Sequence, residues 1–277
     1  MNKSSIIEQI KQKQSFLCVG LDPDVQKIPP HLLEETDPIF EFNSAIIDAT
    51  YQHCIAYKIN FAFYEVYGSE GIQSLEKTIR YIKINYPDKF IIADAKRGDI
   101  GNTSEKYAKS VFDKLECDAI TLSPYMGKDS ILPFLKYKDK WAIVLALTSN
   151  EGSKDFQFLK CENHQPLYRI IVEKSKEWGT DQNIMYVIGA THQPEIIKEL
   201  RQIIPNHFIL IPGIGTQGGN FEEVCNAALN DQIGIIVNVS RDILYADLSK
   251  NFTISANIQA QYYQQKMKKI LMERKLV

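Results

Sequence analysis

Cysteine and histidine are sparse in this sequence and form no recognisable metal or disulfide pattern. The chain of 277 residues contains five of each. The cysteines are odd in number and widely spaced, with no Cys-x-x-Cys pair, which argues against a disulfide framework and predicts buried free thiols in a reducing cytosol. The histidines are scattered without a ligand-like pair, so we predict no metal site.

Long apolar runs and an excess of positive charge are also missing. No apolar run approaches membrane-spanning length, and the N-terminal segment lacks the continuous apolar core of a signal peptide. A formal net charge of −2 argues against nucleic acid or an anionic membrane as the main partner, although it leaves room for a local basic pocket. We therefore expect a cytoplasmic protein that binds a small molecule.

Short apolar segments alternate with amphipathic segments along nearly the whole chain. The predicted strands are 16–21, 56–63, 90–95, 119–122, 141–147, 184–188, 208–211 and 234–239. The predicted helices are a short N-terminal one, 4–14, and then 38–54, 71–84, 104–115, 130–137, 167–178, 194–204, 221–229 and 254–273. Strands that are apolar on both sides and strictly alternate with helices predict an α/β protein with a (β/α)8 TIM barrel, as one domain over residues 1–277.

An open doubly wound sheet is the alternative fold. Such a sheet usually has fewer strands and carries Gly-x-Gly-x-x-Gly after the first one. Here the first strand ends in Gly20-Leu21-Asp22-Pro23 instead, which favours the barrel. The residues just past each strand of a barrel share one rim, where barrel enzymes hold their chemistry.

The third predicted strand ends in charged residues. Asp94 and Lys96 follow an apolar segment and are two residues apart, so a strand places both on the same face. Asp99 comes next, and Asn102 or Thr103 is well placed to cap the following helix. A strand end can carry charges simply because it reaches solvent, so this segment is not decisive alone.

Three polar residues belong to the first two strands. Lys58 lies in an otherwise apolar strand, where a lysine is costly unless it is paired, so we predict a paired site lysine. Asn60 on the same face either contacts a ligand or makes a hydrogen bond in the core. Asp22 either forms a turn before proline or accepts a hydrogen bond from a sugar hydroxyl.

The last two strands end in groups that suit a phosphate. A glycine-rich turn at 212–219, which contains Gln217, leads into a helix, and backbone amides in such a turn can approach an anion. Arg241 follows the eighth strand and is well placed as the fixed cation. Ser123 and Thr148 lie at other strand ends, where the serine is either a turn residue or a site residue.

The charged centre of the rim consists of Lys58, Asp94, Lys96 and Asp99. The signs alternate and no nucleophile is evident, since the sequence has no Gly-x-Ser-x-Gly elbow. Such a set suits proton transfer and the stabilisation of a carbanion beside a phosphate-bearing substrate.

These motifs, in this order, resemble the active-site signature of the orotidine 5′-phosphate decarboxylase family. The matching segments are Gly20-Leu21-Asp22, Lys58, Asp94-Ala95-Lys96-Arg97-Gly98-Asp99-Ile100-Gly101-Asn102-Thr103, Ser123-Pro124-Tyr125, the turn 212–219 and Ser240-Arg241. They span most of the chain, and the segment 94–103 is the most specific. That segment and the short glycine-rich turn look like the family's type 2, found in bacteria and parasites.

The resemblance implies decarboxylation of orotidine 5′-phosphate to uridine 5′-phosphate without a cofactor, in de novo pyrimidine (UMP) biosynthesis. It implies that Lys96 protonates C6 of the pyrimidine, that Asp94 lies against the departing carboxylate, and that Lys58 and Asp99 hold this array. It also implies a homodimer in which Asp99 and Thr103 reach into the neighbour's site.

The resemblance further implies how the substrate is held. Ser123 and Gln217 are expected to contact the base, and Gln217 and Arg241 the phosphate. Asp22 and Thr103 are expected to contact ribose hydroxyls.

Two other functions stay open from the sequence. One is a magnesium-dependent sugar-phosphate decarboxylase or aldolase of the same barrel group, which shares the Asp-x-Lys-x-x-Asp pattern. The other is a nucleotide-binding sensor that kept the pocket without the chemistry. The glycine-rich turn and Ser123-Pro124-Tyr125 favour the first function over the magnesium-dependent one.

Overall fold

The strands of this protein close into a parallel barrel, as the sequence predicts. The computed structural model describes residues 1–213 and 221–277. In this part of the chain, eight parallel strands pair in sequence order, and the last closes on the first. They are β1 (Leu17–Leu21), β2 (Ala56–Asn60), β3 (Phe90–Arg97), β4 (Ala119–Leu122), β5 (Trp141–Leu147), β6 (Ile184–Ile188), β7 (Phe208–Ile211) and β8 (Ile235–Val239).

The strands are apolar because helices cover their outer faces while side chains fill the barrel. β1, β6 and β8 are buried at every position. Among the buried strand residues, a few are nevertheless polar: Lys58, Asp94, Thr121 and Asn238. A buried polar group needs a partner, so these four side chains point to a site inside the barrel.

Helices follow the strands around the outside of the barrel. In residues 1–213 and 221–277 they are α1 (Lys3–Lys13), α2 (Pro38–Thr50), α3 (Ala62–Glu65), α4 (Gly68–Asn85), α5 (Gly101–Lys109), α6 (Leu132–Leu135), α7 (Ser153–Phe156), α8 (Leu167–Ser175), α9 (Pro194–Ile203), α10 (Phe221–Ala228), α11 (Arg241–Leu244) and α12 (Phe252–Glu273). None of these helices is long and apolar enough to cross a membrane.

The N-terminal helix α1 covers the bottom of the barrel. The Met1 ammonium group donates to Asp118 Oδ1 at 2.9 Å, and Lys3 Nζ donates to Asp181 Oδ2 at 2.6 Å. Both carboxylates precede strands, at the amino ends of β4 and β6. The opposite rim, at the carboxyl ends of the strands, is therefore the one open to a ligand.

Several predicted boundaries are wrong, and two of them affect the rim. β2 ends at Asn60 rather than at residue 63, because the chain turns there into the short helix α3. α5 begins at Gly101, whose φ is +53°, and no side chain caps the helix. Asn102 and Thr103 therefore lie inside the first turn of α5, and the predicted cap is wrong.

Four of the five cysteine thiols are buried, as predicted. All five cysteines are free, and Cys161 is the one that is half-buried rather than buried.

Candidate active site

Three neighbouring strands bring three charged side chains together at the top of the barrel. In the strand register Gly20 faces Lys58, and Asn60 faces Asp94. Lys58 Nζ donates to Asp94 Oδ2 at 2.9 Å and lies 3.5 Å from Asp22 Oδ1. Lys58 thus bridges two carboxylates, which supply the anionic partners that a buried ammonium group needs.

The charges of this cluster hold one another ionised. Burial lowers the pKa of Lys58, but Asp22 and Asp94 raise it, and the net pKa lies above the ordinary value of 10.5. Burial raises the pKa of Asp94, but Lys58 and Lys96 outweigh burial and bring the pKa well below its ordinary value of 3.8. Both side chains are therefore charged across the neutral range.

Lys96 reaches the same carboxylate from a distorted part of β3. The pairing of β3 with β4 shifts register between Ala93 and Arg97, and Lys96 has a φ of +47°. Lys96 Nζ nevertheless donates to Asp94 Oδ1 at 2.7 Å, and its side chain is 50% exposed. Asp94 and Lys96 thus meet as predicted, with one end of the pair buried and the other accessible to a ligand.

The β8 side of the mouth holds Asp22 through Asn238 and Ser240, to which the sequence analysis assigned no role. Ser240 Oγ donates to Asp22 Oδ2 at 2.8 Å, and Asn238 Nδ2 donates to Ser240 Oγ at 3.2 Å. A Cβ on Gly20 would lie 1.8 Å from Ser240 Oγ, so only glycine fits there. Two signals were available: Asn238 is a polar residue within an apolar strand, and Ser240 belongs to the matching segment Ser240-Arg241.

A cavity of about 420 Å³ opens above these groups. Asp22, Lys58, Asp94, Asn238 and Ser240 line it, together with Arg241 at the first position of α11. Anionic and cationic groups thus share one cavity, which suits a ligand that carries both an anionic group and hydroxyls.

Lys96 does not line this cavity, and neither do further predicted residues on the loops after β3 and β4. Asp99 is half-buried, and its Oδ1 accepts from the backbone N–H of Ile100 at 2.8 Å. Thr103 is exposed on α5, and Ser123 is half-buried just after β4. Among the described residues, none of these three side chains makes a hydrogen bond or ion pair with Lys58, Asp94 or Lys96.

The predicted rim residues Asn60 and Thr148 make local hydrogen bonds and do not line the cavity. Asn60 Oδ1 accepts from the backbone N–H of Ala62 at 3.2 Å, at the start of α3. Thr148 donates its hydroxyl proton to Asn150 Oδ1 at 2.6 Å. Gln217 lies outside the described residues.

Metal ligands do not cluster in the residues that the structure describes. No group of three or more His, Cys, Asp or Glu is placed to hold a metal ion among residues 1–213 and 221–277. The described side chains around the cavity offer ammonium and guanidinium groups, carboxylates, an amide and hydroxyls.

Fold and site together define a (β/α)8-barrel protein with a Lys–Asp–Lys cluster beside a cavity at the carboxyl ends of its strands. The sequence model of the orotidine 5′-phosphate decarboxylase / HUMPS family matches residues 15–251. The chain belongs to this family.

Curated relatives support the assignment over nearly the full length. The orotidine 5′-phosphate decarboxylase of Phocaeicola vulgatus is 57% identical over 271 residues, which is 98% of this chain and 99% of the relative. The enzyme of the same name from Porphyromonas gingivalis is 51% identical over 277 residues and covers 100% of both chains.

Solved structures agree with the fold. The OMP decarboxylase of Leishmania donovani superposes with a TM-score of 0.83 at 34% identity, covering 98% of each chain. The UMP synthase of the same organism gives a TM-score of 0.83 at 36% identity, but the match covers 96% of this chain and 55% of that one.

Proposed function

We propose that this protein decarboxylates orotidine 5′-phosphate to uridine 5′-phosphate in de novo pyrimidine biosynthesis. The observation that carries the proposal is the Lys58–Asp94–Lys96 cluster, with both ammonium groups on one carboxylate beside the cavity. Relatives named orotidine 5′-phosphate decarboxylase at 51% identity and above support it. The glycine-rich turn and the segment 94–103 support a type 2 enzyme, and we propose that subfamily as well.

Lys96 is the proton donor in this proposal. The C6–carboxylate bond breaks, carbon dioxide leaves and the electron pair stays at C6 of the pyrimidine, where a fixed ammonium stabilises the charge most when water is excluded. The Lys96 side chain is half exposed while its Nζ is held by Asp94, so it is both accessible and oriented. Proton transfer from Nζ to C6 then completes the product.

Asp94 and Lys58 determine the electrostatic environment of the Lys96 ammonium group. Asp94 lies against the departing carboxylate and is ionised beside the Lys96 ammonium, since the pKa of Asp94 is well below the ordinary range. Lys58 neutralises the second oxygen of Asp94 and fixes its plane.

The rest of the substrate is bound by groups around the rim. Arg241, at the cavity, and Gln217 bind the phosphate, and Gln217 and Ser123 contact the base. Asp22, held by Ser240 at 2.8 Å, accepts hydrogen bonds from ribose hydroxyls. Binding of the remote phosphate supplies energy that orders the reacting end.

A second copy of the chain completes the site. Asp99 and Thr103 lie on the loop and helix after β3, away from the cavity of their own chain. The same rim exposes apolar side chains, with Ile100 at 52%, Met126 at 51% and Tyr125 at 91%. Such residues favour burial against a partner, and a homodimer would bring Asp99 and Thr103 to the neighbour's Lys96.

The whole chain acts as one unit in this proposal. We assign residues 1–277 to a single barrel domain that works in the cytoplasm without a metal or cofactor.

A direct assay tests the activity. We expect the exhaustively EDTA-treated protein to deplete the absorbance of orotidine 5′-phosphate at an undiminished rate. Activity that disappears with EDTA and returns with Mg²⁺ would assign the protein to the magnesium-dependent group. Tight binding of uridine 5′-phosphate without any turnover would indicate a sensor instead.

A further inference from the structure

We propose that Thr121 is a positioning residue that holds the Asp94–Lys96 pair in its reactive geometry. Thr121 belongs to β4 and is 1% exposed. Its Oγ1 donates to Asp94 Oδ1 at 2.9 Å and accepts from the backbone N–H of Lys96 at 3.0 Å. One hydroxyl thus contacts both Asp94 and Lys96. This inference rests on the proposed function, which assigns the proton transfer to these two residues.

The backbone around Lys96 depends on this contact. The β3–β4 ladder is irregular between Ala93 and Arg97, and the N–H of Lys96 bonds to a side chain of β4. The φ of +47° at Lys96 lies in a region that residues with a Cβ rarely adopt. A strained conformation persists only where its surroundings hold it, and Thr121 supplies a hydrogen bond at that residue.

The Asp94 carboxylate depends on it as well. Lys58 occupies Oδ2, while Lys96 and Thr121 share Oδ1. Three donors from three neighbouring strands therefore fix the plane of the carboxylate. Without the hydroxyl, Oδ1 keeps only the mobile ammonium of Lys96, and the Lys96 N–H loses its acceptor.

A buried threonine elsewhere provides a matched control. Thr78 in α4 is 0% exposed, donates to the Ser74 carbonyl at 2.8 Å and accepts from Asn43 Nδ2 at 3.1 Å. It has the same number of donated and accepted bonds as Thr121, and it does not line the cavity. Its loss measures what a buried hydroxyl contributes to stability alone.

The first test compares Thr121→Val, Thr121→Ser and Thr78→Val. We expect Thr121→Val to lower kcat about 10- to 100-fold with KM changed less than about threefold, because it displaces reacting groups rather than binding groups. Thr121→Ser should restore kcat to within about threefold of wild type. Thr78→Val should lower the melting temperature as Thr121→Val does, with normal kcat.

Either of two kinetic results would overturn the proposal. One is a kcat for Thr121→Val within about threefold of wild type. The other is a serine variant as slow as the valine variant, since the hydroxyl would then not be the active feature.

A structural readout decides the same question without turnover. Crystal structures of the ligand-free Thr121 variants should show the Lys96 ammonium displaced by roughly 1 Å or more in Thr121→Val and in place in Thr121→Ser. An unchanged Lys96–Asp94 contact and φ in the valine variant would refute the positioning role. If the wild type fails to decarboxylate orotidine 5′-phosphate, the proposed function fails, yet this geometric result still stands or falls by itself.

Discussion

The two sides of the barrel mouth differ in how far one chain completes them. On the β1–β3 side, Lys58 lies between Asp22 and Asp94, and Lys96 is paired with Asp94. On the side formed by the loops after β3 and β4, Asp99 has no ion pair with any residue of the described ranges, and Tyr125 is 91% exposed. We call the first the finished side, because its charges pair within one chain, and the second the unfinished side, because the homodimer proposed above would complete it.

Burial explains the difference. A charge taken out of water must find its partners within the fold, or the desolvation cost is not offset. Asp99 is half-buried and keeps part of its hydration, so it has a weaker requirement for an ion pair within its own chain. Variants on the two sides should therefore differ in activity and stability, and they follow here from the largest expected effect to the smallest.

Lys96→Ala tests the finished side and should have the largest effect. We expect no measurable decarboxylation, because the proposed proton donor is gone, while uridine 5′-phosphate still binds. Arg241→Ala should show the converse, weakening phosphate-bearing ligands by about 1.5–3 kcal/mol through a lost charged hydrogen bond. Isothermal titration and a turnover assay measure both, and near-normal turnover of Lys96→Ala would remove it from the proton-donor role.

A mixed dimer tests the unfinished side. Lys96→Ala and Asp99→Asn homodimers should each be nearly inactive, but a mixed dimer collects both lesions in one site and leaves the other intact. Random mixing makes about half of the dimers mixed, so activity should recover to about a quarter of wild type per total site.

Co-expression of the two variants, followed by assay, measures this recovery. Mass spectrometry must show that mixed dimers form. Recovery near zero in their presence would mean that Asp99 serves its own chain.

Lys58→Met tests whether the finished side is held by burial, and its effect should be the smallest of the three. It leaves Asp94 buried with one cation fewer, which should cost about 3 kcal/mol of unfolding free energy. The matched control is Lys136→Met, which breaks a 2.8 Å pair with Glu105 on the surface and should cost less than about 1 kcal/mol. Equal losses in urea denaturation would contradict the claim that burial makes the ion pairs of the finished side necessary.

Local pattern was enough to predict most of the fold. The positions of the eight strands follow from short apolar runs between amphipathic segments, and the predicted β4, β5, β6 and β7 agree with the structure residue for residue. The errors lie at the ends of the predicted strands and helices. The predicted β2 is three residues too long, because the chain turns into α3 after Asn60. The observed α5 begins at Gly101 rather than at the predicted residue 104, because Gly101 turns the chain there.

The sequence by itself indicated that Lys58, Asp94 and Lys96 belong to one cluster, whereas Asp99, predicted with them, makes no ion pair with them among the described residues. Lys58 had to be paired because it interrupts an apolar strand, and the spacing of Asp94 and Lys96 put both on one face. Tertiary structure alone decided what holds them. Thr121 and Ser240 reach Asp94 and Asp22 from strands or strand ends that are distant in the chain, and no local period indicates such contacts. They depend on the closure of β8 onto β1 and on an irregular register between β3 and β4, which are set by packing around the whole barrel rather than by neighbouring residues.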